Sequence, residues 1–85
     1  MDATTLQDAL RIADAAASVG EAAQALRQRF ASLRVMGVDA LDMRDEQPAG
    51  LGQRRALFLG TSDGHCWHLT TDPTVATALL VADRT

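Results

Sequence analysis

Apolar and small side chains recur along the first third of the chain at alternating spacings of three and four: Ala9, Ile12, Ala16, Val19, Ala23, Leu26, Phe30 and Leu33. Polar positions repeat in the same phase on the opposite side, at Gln7, Arg11, Asp14, Ser18, Glu21, Gln28 and Ser32. Two such stripes at a period near 3.6 residues mark an amphipathic helix. Thr4 or Thr5 can cap its start, with Gln7 and Asp8 in the first turn. The pattern predicts one N-terminal helix over 5–33, straight or kinked at Gly20. Ser18 followed by Glu21 is a capping-box pattern and opens a second arrangement, two helices over 5–17 and 19–33. The unbroken phase on both sides favours the single helix. At about 1.5 Å per residue it would span about 45 Å, longer than a domain of this size, and its excess length calls for a partner.

Beyond residue 33 the period changes to two. Residues 34–43 are a first strand, with Met36, Val38 and Ala40 on one side and Val35, Gly37, Asp39, Leu41 and Met43 on the other. Residues 44–54 carry Pro48 and the Gly50-Leu51-Gly52 trio and read as a loop. Residues 55–71 then place Asp63-Gly64 between two apolar runs, the signal of a two-residue type I′ hairpin. Counting outward from that turn pairs Ser62 with His65, Thr61 with Cys66, Gly60 with Trp67, Leu59 with His68, Phe58 with Leu69 and Leu57 with Thr70. Alternation sorts these into two faces. Phe58, Trp67 and Leu69, with Gly60 under the indole, look like core. Leu57, Leu59, Thr61, Cys66, His68 and Thr70 form a mixed face, left partly open or closed by another subunit. Asp72-Pro73 starts a short C-terminal helix whose apolar side is Val75, Ala76, Leu79, Leu80 and Ala82. The expected architecture is a single α+β domain, 1–85: a long N-terminal helix, a three-stranded antiparallel β-meander and a short C-terminal helix.

Composition narrows the function classes. The apolar fraction of 47% suits a folded chain, but much of it is alanine, which buries little area and favours oligomerisation. A net charge of −3 argues against a nucleic-acid groove, which needs clustered positive charge. All eight basic residues are Arg, and with the alanine excess this points to a bacterial, high-GC source. One cysteine excludes an internal disulfide framework and a Cys-based structural zinc site within one chain. No stretch reaches membrane-span length and residues 1–5 carry no basic leader, so a soluble cytoplasmic protein is expected.

The densest chemistry is His65-Cys66-Trp67-His68. Cys66 and His68 lie two apart on a strand, so both project from one face and could approach one metal, haem or each other. Two donors do not complete a site, and a buried Cys66 beside a surface His68 is the plainer reading. A thiol enzyme would also need an orienting group, for which Asp39 is the candidate, and an oxyanion hole. The acidic run Asp39, Asp42, Asp45 and Glu46 lacks the EF-hand pattern, and 50–55 lacks that of a phosphate loop. No cofactor is expected. The leading expectation is a non-enzymatic protein acting through protein–protein contact as a homodimer, with Leu57, Leu59, Cys66 and His68 as its surface. A metal- or haem-associated module using Cys66 and His68 is the alternative, and a thiol enzyme the weaker one.

Overall fold

A computed structural model describes residues 1–84 and is α+β, with two helices followed by a five-stranded mixed sheet. Helices α1 (Ala3–Ala15) and α2 (Val19–Arg29) precede β1 (Arg34–Gly37), β2 (Gly50–Leu51), β3 (Arg55–Ser62), β4 (Trp67–Thr70) and β5 (Ala78–Asp83). This corrects the expected long helix, three-stranded meander and C-terminal helix in each of its three parts.

The N-terminal helix breaks at residues 16–18. Ala16 and Ser18 are both extended, and the Ser18 hydroxyl accepts the Glu21 N–H at 3.1 Å. Capping therefore prevails over unbroken phase: the Ser18 hydroxyl satisfies a first-turn donor of α2, so the chain can restart as a second, three-turn helix that stays over the sheet. Asp2 caps α1 in the same way, accepting from Thr5. The predicted stripe itself survives: Ala9, Ala23 and Leu26 are buried, and Ile12, Ala16, Val19, Phe30 and Leu33 pack around them.

The expected C-terminal helix is a strand. Asp72 does cap, accepting from Thr74, but the turn it starts is one 3-10 turn, Pro73–Val75. Ala78-Leu79-Leu80-Val81-Ala82 then enters the sheet as β5, between β1 and β3. A continuous apolar run suits a central strand with both faces covered, and helical spacing within it is incidental. β1 lies parallel to β5, and β3 antiparallel to it, with Leu57 opposite Val81 and Leu59 opposite Leu79. β2 and β4 share the other edge of β3, one along its start and one along its end.

The helices cover the sheet face formed by Val35, Leu57, Leu59, Leu79 and Val81. Leu57 and Leu59 are 0% exposed, so the face expected to lie open is the core. Half of the opposite face is covered by residues 38–48, whose Val38 and Met43 pack on Ala56, Phe58 and Ala82. The other half of that face, around Trp67, is open.

Candidate functional site

The hairpin joining β3 to β4 carries the chemistry singled out in the sequence. Its strands pair Ser62 with Trp67, Thr61 with His68, Gly60 with Leu69 and Leu59 with Thr70. The register is two residues away from the one expected, which keeps every side chain on its predicted face but lengthens the loop to Asp63–Cys66. Only Gly64 has positive φ, at +96°, so the turn is not type I′, which requires it at both central residues.

Asp63 organises this loop. One carboxylate oxygen accepts the N–H groups of His65 at 2.9 Å and Cys66 at 3.0 Å, and the other lies 3.4 Å from His68 Nε2. Those N–H groups, Cys66 first and His65 next, followed by the His68 side chain, push the Asp63 carboxyl down to about 2. His68 is thus engaged by a carboxylate and not by the thiol. Cys66 is free and exposed in the loop, not a small buried hydrophobe on the strand. Among the described residues, no group of three His, Cys, Asp or Glu side chains is placed to hold a metal. Asp39 leaves β1 on the far side of β5 from the hairpin, so it does not orient His68; its carboxylate accepts the Leu41 N–H at 2.9 Å.

The four residues expected to form one surface divide. Leu57 and Leu59 are core, whereas Cys66 and His68 are exposed at the hairpin end. What the sequence reading missed is the surface on the other side of the sheet. Trp67 is 50% exposed, Leu69 41% and Met36 38%, and with the half-buried Leu80 they surround an apolar groove of about 90 Å³. Its floor is Gly60 and Ala78, directly paired across β3 and β5. A Cβ on Gly60 would meet the indole at 3.6 Å, so the expected ring-over-glycine contact is present, but on the open face. The Arg34 guanidinium lies over the Trp67 ring, 5.7 Å from its centroid. The small residues Gly60, inside β3, and Ala78, at the start of β5, were the available sequence signal.

A larger cavity, about 240 Å³, lies under residues 40–48, with Phe58, Ala56 and Ala82 on its floor and Arg44, Glu46, Asp83 and Arg84 around its mouth. Among the described residues, no helix is long and apolar enough to cross a membrane. No curated protein and no solved structure matches the chain. Residues 8–84 match the family of unknown function DUF6129, and the chain belongs to that family.

Proposed function

We propose that the protein is a small non-enzymatic module that acts through protein–protein contact, as a homodimer, using the open half of the outer sheet face. The observation that carries this reading is the grouping of Trp67, Leu69, Met36 and Leu80 around one apolar groove beside an edge strand. Exposed side chains of this size, clustered and flanked by Arg34 and His68, are characteristic of contact surfaces, and Trp and Arg are enriched at their centres. Bacterial origin and a cytoplasmic setting belong to the same reading; the Arg-only basic set and the alanine excess support the first. Sedimentation velocity across a concentration series tests it. A shift from monomer to dimer, with a blue shift of Trp67 emission over the same range, is the expected result. A clean monomer at high micromolar concentration removes the homodimer.

A metal- or haem-associated role for Cys66 and His68 is the second reading, favoured by the exposure of both side chains and by Asp63 beside His68. Such a site would draw its remaining donors from a second copy. Native mass spectrometry of protein purified without chelator tests it: bound mass that disappears in Cys66→Ala supports the site, and unchanged uptake in Cys66→Ala and His68→Ala ends it.

A further inference from the structure

The two long edges of the sheet are treated differently. On β1 the Arg27 Nε donates to the Val35 carbonyl at 3.1 Å, so a side chain from α2 blocks that edge. No described side chain does the same for β4. Which of its backbone groups point outward follows from β3. The Gly60 carbonyl accepts the Thr77 N–H at 2.8 Å, on the β5 side. Alternation then turns the backbone groups of Leu59 and Thr61 toward β4, where they meet Thr70 and His68. The N–H and C=O groups of Trp67 and Leu69 are therefore directed away from the sheet. An edge with free backbone groups and large apolar side chains is a template for another strand.

We infer that β4 pairs antiparallel with β4 of a second copy, about a two-fold axis through His68, joining the two sheets into one. This rests on the interaction reading above and specifies its interface. The strand is self-complementary in this register. Trp67 lies opposite the partner copy's Leu69 and Leu69 opposite its Trp67, so an aromatic meets an aliphatic twice on the groove side. The outward groups of both residues form the two hydrogen-bonded pairs, and His68 meets its own copy in the non-hydrogen-bonded position between them. Trp67-His68-Leu69-Thr70 carries no Asp, Glu, Lys or Arg, so no fixed like charges face each other. Elsewhere, two copies of a chain with net charge −3 repel. Within the strand itself no charge opposes pairing; the nearest carboxylates, Asp63 at His68 and Glu46 beside Leu69 and Thr70, lie outside it.

Residues opposed in a non-hydrogen-bonded pair have Cα atoms about 4.5 Å apart, within disulfide reach. The test is the double variant Cys66→Ala/His68→Cys, oxidised mildly and run with and without reductant. The proposal expects nearly complete conversion to a reducible covalent dimer, and none for Cys66→Ala/Ser62→Cys, whose thiol sits on the inner strand. Amide exchange on the unaltered protein provides a second readout free of mutation: Trp67 and Leu69 should slow at high concentration relative to low. A solution dimer that neither cross-links at residue 68 nor protects those amides overturns the edge pairing and leaves the homodimer standing. A monomer at every concentration overturns both.

Discussion

The Asp14 carboxylate accepts the backbone N–H of Arg55, 41 residues away, at 2.9 Å. The same carboxylate accepts from Gln53 at 2.9 Å and Arg54 at 3.1 Å, so three consecutive amides close on one side chain at the end of α1. The buried Arg55 side chain in turn donates to the Ala16 carbonyl at 3.0 Å and pairs with Asp83 at 3.2 Å. One helix end, the entry to β3 and the end of β5 are thereby held together. The helix break at 16–18 is stabilised from outside the helix as well as by its own cap.

Asp14→Ala should cost about 2 kcal/mol, since it removes a charged acceptor and leaves three donors to find water. Gly52 belongs to the same device: a Cβ there would fall on the Asp14 carboxylate. Gly52→Ala should therefore destabilise by a similar amount, and the two losses should not add. A double-mutant cycle by urea unfolding checks this. Additive losses would mean that the glycine and the carboxylate act separately.

Acid should weaken the fold through these carboxylates. Burial pushes the Asp14 carboxyl up, but the N–H groups of Gln53, Arg54 and Arg55, together with the Arg55 charge, outweigh it and hold the group below its ordinary 3.8. Asp2 and Asp72 are lowered by hydrogen bonds from Thr5 and Thr74. Each carboxyl binds its proton less readily folded than unfolded. Its contribution is complete above the ordinary value and is lost as pH falls through the folded one. Urea midpoints should be flat above pH of about 5 and decline below it. Asp14→Asn should flatten the upper part of that decline, and a slope unchanged by the substitution would clear Asp14 of a role in it.

The core and the open face should respond differently to truncation. Leu59→Ala should cost about 2–5 kcal/mol, because the side chain is fully buried beneath the helices. Trp67→Ala should cost less, about 2 kcal/mol, since half of the ring is already in water and its support is Gly60 and Leu80. Trp67→Ala should instead abolish self-association. Thermal unfolding at low concentration isolates the first effect, and sedimentation reads the second. A loss from Trp67→Ala as large as that from Leu59→Ala would place the indole in the core.

Local signals carried much of this architecture. The helical stripe, the Ser18 and Asp72 caps, the hairpin around Gly64 and the alternation of β3 were all legible, because each depends on residues a few positions apart. What escaped was set by long-range pairing. Leu79, Leu80 and Ala82 satisfy a helical spacing and a buried strand equally, and only placement between β1 and β3 decides. That placement also inverted the two sheet faces. β5 supplies Leu79 and Val81 opposite Leu59 and Leu57, so the helices cover that side and Trp67 is left outside. The Asp14 clamp joins positions about forty residues apart, and an aspartate on the polar side of a helix shows no sign of it.

The loop between β3 and β4 should control β4 without governing the whole fold. Gly64 adopts a φ of +96° with open space around its missing Cβ, so Gly64→Ala meets no clash and costs only backbone strain, about 1 kcal/mol. Asp63→Ala removes the acceptor that gathers His65, Cys66 and His68. Both variants should speed amide exchange at His68 and Thr70, whose N–H groups face β3, while leaving the amides of Phe58 and Leu80 in the β3–β5 ladder unchanged. In the wild-type protein the Asp63 carboxyl should titrate near 2, well below an ordinary aspartate, when followed by NMR. Titration near 3.8 would show that the carboxylate does not hold those amides in solution. Uniformly faster exchange across the whole sheet would show instead that the hairpin and the core unfold as one unit.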